Sequence, residues 1–203
     1  MSKKEDILKV AAQHFSKFGY SGVSLDSIAK EVGITKAAIY YHFKDKANLY
    51  EGVLLFRLEN LVKFIEKKIT SKDPQNRLKE YIEGFGEFLQ NYPCFAAILA
   101  HEFADNGKNM SDKAVKELSK TLNLLTSILN DGIKKDIFEI SNPMVVQMMI
   151  VSTLIMHQTT KNLRKRVTDF IEGYEILPEP DIKDISKIVA KKILKAIEHF
   201  EKL

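Results

Sequence analysis

Apolar residues recur at three- and four-residue steps along almost the whole chain, and this pattern restricts the fold to packed helices. Leu8, Ala11, Phe15 and Phe18 keep the step near the N-terminus. Leu54, Leu58, Leu61 and Ile65 keep it in a longer segment. Ile182, Ile185, Val189, Ile193, Ala196, Phe200 and Leu203 keep it at the C-terminus. Nine glycines and five prolines are few for 203 residues, and β-branched residues are scattered, as a mostly helical chain requires. Hydrophobic residues make up 45% and charged residues 29%, a globular balance.

Turn and cap residues punctuate the pattern into about nine helices, so the expected fold class is all-α. The first helix runs from about Lys3 to Phe18 and stops at Gly19. Ser24 caps a short second helix with Leu25, Ile28, Ala29 and Val32 inside. Gly33 ends it, and Thr35 caps a third helix reaching Phe43. Asp45 caps a long fourth helix to about Thr70. Further helices are expected over 75–90, after Pro93, and over 112–135. Asn142-Pro143 opens one continuous helix to about Phe170. The stretch 173–180, with a glycine and two prolines, reads as a loop before the last helix.

Several function classes find no support. The longest near-apolar run, Met144 to Met156, is 13 residues, too short for a membrane span. The N-terminal MSKKEDILK is charged where an export signal is apolar. The single Cys94, beside Pro93 and Phe95, reads as a small core residue and suits a reducing cytoplasm. His101 to Asp105, HEFAD, begins like a helical zinc-protease motif but has Asp105 where the second histidine belongs. His14, His42, His157 and His199 are scattered singly, so no metal site is expected. There is no glycine-rich phosphate loop and no G-x-S-x-G. The expectation is a cytoplasmic protein that is not an enzyme, with no cofactor and no membrane partner.

Charge is distributed unevenly. Residues 1–46 hold eight lysines against five acids, which is +3 of the chain's +4. A basic end on a near-neutral body points to a polyanion partner there. Two short helices around Gly33 make a helix-turn-helix, whose second helix in DNA-binding proteins lies in the major groove. On that helix Ile39 and Phe43 share an apolar face and close on Leu25, Ile28 and Ala29. Lys36, Tyr40 and Lys44 then face away, with Ala37 and Tyr41 beside them. Small Ala37 and Ala38 let the backbone approach a groove floor. The tyrosines offer hydroxyls to phosphates and ring edges to thymine methyls. Lys46 is placed to reach a phosphate, and the helix N-termini at Ser24 and Thr35 add N–H donors.

The segment ILKVAAQHFSKFGYSGVSLDSIAKEVGITKAAIYYHFKDKANLY resembles the tetracycline-repressor (TetR) family of bacterial transcription regulators. The resemblance covers about Ile7 to Val53. It rests on AA-x-x-F, the GY turn, S-x-x-x-IA, the Gly-bounded turn, Y-x-HF and K-x-K-x-x-L. Val32 stands where alanine is frequent, and Ala38 where glycine or threonine is common; Ala38 bears on base preference. The resemblance implies that Ser24, Thr35, Lys36, Ala38, Tyr40, Tyr41, His42 and Lys46 are the DNA-binding positions. His42 reads equally as a packing residue at the junction with the fourth helix.

The implied organisation is a helix-turn-helix head over 1–46 and a ligand-binding and dimerisation body over 47–203. The helix after Asn142 is apolar nearly all round, which in a chain this size suggests a second subunit. The resemblance implies that this helix and the last one form a four-helix homodimer interface. It also implies a small-molecule pocket in the body, for which Phe85, Phe88, Tyr92, Phe95, Leu99, His101, Leu125, Met149, Thr153 and His157 are the candidates. KNLRKR, Lys161 to Arg166, could touch nucleic acid or acidic lipid, but reads first as a solvated helix end. The function expected is a dimeric regulator, most plainly a repressor, that binds palindromic double-stranded DNA and is released by a largely apolar effector. Two rivals stand beside it: a DNA-binding regulator controlled by a protein partner, and a helical enzyme or carrier keeping the head as scaffold.

Overall fold

The turn signals of the sequence become helix boundaries in the structure, a computed structural model that describes residues 2–172 and 178–198. Among the described residues ten helices follow in order: α1 (Lys3–Phe18), α2 (Leu25–Val32), α3 (Lys36–His42), α4 (Lys46–Lys68), α5 (Pro74–Asn91), α6 (Pro93–Ala104), α7 (Asp112–Lys134), α8 (Pro143–Thr159), α9 (Lys161–Thr168) and α10 (Ile182–Ile197). No strand occurs among the described residues. Phe200 and Leu203, expected at the end of the last helix, lie outside the described residues.

The expected caps are present. Ser24 Oγ accepts from Ser27 N at 3.1 Å, and Thr35 Oγ1 accepts from Ala38 N at 3.2 Å. Asp45 Oδ1 accepts from Asn48 N at 2.8 Å at the start of α4. Asp73 caps α5 with Pro74 in its first turn, and Asn142 caps α8 in the same way. Such caps satisfy helix N–H groups that have no partner within the helix.

One expected helix is two. The segment from Asn142 towards Phe170 breaks at Thr160, whose φ of −112° and ψ of 17° are not helical. The cause lies in the hydroxyls. Ser152, Thr153, Thr159 and Thr160 each donate to the carbonyl four residues back. Back-bonding of this kind loosens and bends a helix. The guanidinium of Arg164 also donates to the Met156 carbonyl, at 3.1 Å, and to Thr160 Oγ1 at 2.7 Å, fixing the break.

The chain divides into two compact units. The first is Met1–Asn60 with Pro93–Ser119. Here α1 packs on α2 and on α6 around Ile7, Ala11, Phe15, Ile28, Ile39, Phe95 and Leu99, all buried. Phe15 meets Tyr50 edge-on at 4.7 Å, and Tyr20 meets Tyr50 at 5.0 Å. The buried Glu102 carboxylate of α6 accepts from Tyr50 OH at 2.6 Å and from Asn109 Nδ2 at 3.1 Å.

The second unit is Leu61–Tyr92 with Lys120–Leu203. Helix α5 packs on α10 and α8. Gly86 makes the α5–α10 approach possible, because a Cβ there would stand 2.6 Å from Ser186 Cβ. At the centre, Tyr81 OH donates to Gln147 Oε1 at 2.8 Å, and Gln147 Nε2 reaches Thr121 Oγ1 at 3.4 Å. These buried polar groups satisfy one another, as burial demands.

Candidate nucleic-acid interface

Helix α2 ends at Gly33, whose φ of 72° and ψ of 40° are left-handed. Glycine adopts that conformation without the steric penalty a Cβ brings. The chain turns there, Ile34 N bonds back to Ala29 O at 3.0 Å, and α3 begins at once under the Thr35 cap. Ile39 and Phe43 are buried, with Leu25, Ile28 and Ala29 from α2. The apolar side of α3 therefore closes inward as its spacing requires, and the other side is left outside.

That outer side carries most of the expected site. Tyr41 is 86% exposed and Tyr40 49%. Lys36, Ala37 and Lys44 are exposed, and Ala38 is half-buried. His42 is half-buried and meets the Tyr41 ring edge-on at 5.1 Å. It lines a groove of about 460 Å³ with Lys4, Leu8, Phe43, Gly52 and Phe56, so it sits where α1 and α4 border α3.

The two expected lysines are not loose. Lys36 Nζ bonds Asp26 Oδ2 of α2 at 2.8 Å, and that hydrogen bond and charge hold its pKa above the usual lysine value. Lys46 Nζ donates to Tyr20 O at 3.0 Å and Val23 O at 3.1 Å, and stands 4.5 Å from the centre of the Tyr20 ring. Two of its three donors thus staple the α1–α2 connection to the start of α4. Ser24 and Thr35 spend their side-chain oxygens on caps. Those caps occupy Ser27 N in the first turn of α2 and Ala38 N in the first turn of α3.

The sequence reading missed the bracing of this head. His14 Nε2 lies 2.6 Å from Glu31 Oε2, and its other ring nitrogen lies 3.4 Å from Ser27 Oγ. Asp26 is the partner of Lys36. These pairs join residues ten to seventeen apart in sequence on different helices, so no local spacing announces them.

The candidate pocket residues divide between the units. Phe95, Leu99 and His101 belong to the first unit; the first two are buried, and His101 is exposed with a ring nitrogen 3.2 Å from Ser16 O. Phe85, Phe88 and Leu125 are buried in the second unit, and half-buried Tyr92 meets Phe88 at 4.7 Å. His157 is half-buried; its burial and the nearby Arg164 charge lower its pKa. Met149 and Thr153 are not with the buried set. They stand on the exposed side of α8 with Met144, Val145, Met148 and Met156. Among the described residues, no cluster of three or more histidine, cysteine or acidic side chains could hold a metal. No helix among them is long and apolar enough to cross a membrane.

Residues 7–53, which contain α2, the turn at Gly33 and α3, match the family described as bacterial regulatory proteins, tetR family. The helix-turn-helix head is a TetR-family head. A transcriptional activator of Mycolicibacterium smegmatis, FasR, is 31% identical over 90 residues, covering 44% of this chain and 41% of its own length. The chain thus spans well under two thirds of that relative. A nucleoid occlusion factor of Vibrio cholerae, SlmA, is 28% identical over 134 residues, covering 64% of this chain and 68% of its own. A crystal structure of a tetR-family regulatory protein from Rhodococcus aligns with a TM-score of 0.79 over 99% of this chain and 100% of that one. At 15% identity this last likeness concerns the all-α fold.

Proposed function

We propose that this chain, with its TetR-family head, is a transcriptional regulator that binds palindromic double-stranded DNA as a homodimer and responds to a small molecule. The observation that carries the DNA-binding reading is the outer face of α3, where Tyr40, Tyr41 and Lys36 project from a helix braced on its other side. Exposed tyrosines cost solubility without returning stability, so their place on a basic helix-turn-helix suits base-edge and phosphate contacts. Ser24, Thr35, Lys36, Ala38, Tyr40, Tyr41, His42 and Lys46 are the proposed DNA-binding positions, in a head over 1–46.

The exposed Met144, Val145, Met148, Met149 and Met156 of α8, with Ile188 of α10, support the dimer. Apolar side chains contiguous on one surface favour association. A dimer sets two α3 helices against half-sites about 34–36 Å apart. Within the first unit, α6 is bonded to Ser16 through His101 and to Tyr50 through Glu102. An effector that displaces α6 would therefore act on α1 and α4 directly. Release requires that the effector bind the two head spacings with different affinity. Repression is the sign proposed, and a largely apolar molecule the effector class, with a cytoplasmic site of action.

A second reading keeps DNA binding but replaces the small molecule by a protein partner. It is favoured by the nucleoid occlusion factor among the relatives and by the exposure of Met149 and Thr153. Footprinting on fragments of the source genome tests the main reading. Two protected half-sites of opposite orientation are expected, released by a co-purifying small molecule. Protection of a single half-site would sink the dimeric operator, and a ligand that binds without changing the footprint would sink the effector.

A further inference from the structure

The basic run Lys161 to Arg166 takes no part in the head or in the proposed dimer face of α8. In the structure it forms α9, which buries none of its residues. Its apolar residues are Leu163 and Val167, both exposed. The turn that follows continues their side, with Phe170 N bonded to Val167 O at 3.1 Å and Ile171 N to Thr168 O at 3.2 Å. Phe170 is 87% exposed and Ile171 46%. Spacings of four and three put Leu163, Val167 and Phe170 on one stripe. At 3.6 residues per turn, Arg166 falls on one edge of that stripe and Arg164 on the other, with Lys161 and Lys165 behind.

We propose that α9 and the turn after it are a docking surface for an anionic lipid bilayer. The helix is already formed and held. Arg164 Nε donates to Glu179 at 2.6 Å, and its Nη1 donates to Met156 O and Thr160 Oγ1. An apolar stripe edged by cations lies in the bilayer interface with rings in the acyl boundary and charges at the phosphates. The long stem of Arg166 at the stripe's edge lets its head reach that level, and Lys161 and Lys165 on the polar face add longer-range attraction to an anionic surface.

Charge separates this occupant from two others. A second copy offers α8, whose residues Pro143 to Thr159 include no carboxylate, or another α9, which sets cations against cations. Duplex DNA would satisfy the cations and leave Phe170 and Ile171 in water. An anionic bilayer answers both features at once.

Flotation of the full chain with phosphatidylglycerol–phosphatidylcholine vesicles, and with phosphatidylcholine alone, tests this. Binding to the anionic vesicles alone is expected, weakened by salt. Lys161→Gln and Lys165→Gln should each weaken it about fivefold. Leu163→Ser with Phe170→Ser should abolish flotation, with melting temperature and sedimentation mass unchanged. Equal flotation with both vesicle types, or with neither, overturns the proposal. A changed sedimentation mass in the serine variant overturns it in favour of a second copy. Lysine variants that lose random-duplex affinity while vesicle binding stays as in the wild type overturn it in favour of nucleic acid.

Discussion

The hydroxyl of Tyr50 donates to the Glu102 carboxylate at 2.6 Å, and both residues are about 1% exposed. A buried carboxylate is tolerated only when its lone pairs are occupied, and Asn109 occupies others through its amide and backbone N–H. Removing one donor leaves a desolvated charge short of a partner. Tyr50→Phe should therefore destabilise the first unit by about 1–3 kcal/mol. Urea unfolding of the variant against wild type checks this, and an unchanged midpoint would show that the bond contributes nothing.

The same tyrosine sets an alkaline limit. Burial, then the Glu102 hydrogen bond and charge, push its pKa well above the ordinary value. Tyr81 in the second unit is also pushed up, by burial. Both must stay protonated in the folded state. Their contribution is complete below the unfolded tyrosine pKa of about 10 and is lost as pH rises beyond it. Unfolding curves between pH 9 and 11 should show falling stability, and the fall should be shallower in Tyr50→Phe. A parallel fall in both proteins would remove Tyr50 from the account.

At the α5–α10 crossing, a methyl on residue 86 would enter Ser186. Gly86→Ala gains helix propensity of about 1 kcal/mol but forces the helices apart, at about 1–3 kcal/mol. Ser186→Gly removes the obstructing Cβ, 2.6 Å from the built position. Thermal melts should show loss of stability in Gly86→Ala and partial recovery in the double variant. Additive losses in the two single changes would mean that the contact is not what limits the crossing.

Lys46 is a staple before it is anything else. With Lys46→Ala the carbonyls of Tyr20 and Val23, bonded at 3.0 and 3.1 Å, lose their donor. A loss of about 1–3 kcal/mol is expected, read as a lower unfolding midpoint of the head. A variant as stable as wild type would show that these two bonds contribute nothing to the stability of the head.

Much of the head is legible in the sequence, because its determinants are local. Caps at Ser24, Thr35 and Asp45, the glycine at 33, and the Ile39–Phe43 row each act within a few residues. The inward and outward sides of α3 follow from them. Pairings between elements are not legible. Lys36 with Asp26, His14 with Glu31 and Tyr50 with Glu102 join helices whose relative placement depends on the whole core. The break at Thr160 was hidden for a related reason. Its neighbours keep helical spacing, and only the hydroxyl bonds and the Arg164 clamp decide that the helix stops. Apolar residues at helical spacing serve core, dimer face and ligand wall alike, so spacing does not tell which side chains line a pocket. Hence Phe85 and Leu125 are buried while Met149 and Thr153 stand outside.

The central claim is that α3 reads DNA sequence through its exposed tyrosines, and selection from a randomised duplex pool tests it most directly. Wild type should enrich one inverted-repeat sequence and bind it more tightly than random duplex, with affinity falling steeply with salt. Tyr41→Ala, exposed and so neutral to stability, should lose about 1–3 kcal/mol of that discrimination while melting as wild type does. Failure of wild type to enrich any sequence, or a Tyr41→Ala protein that enriches the same sequence with equal affinity, would contradict the account.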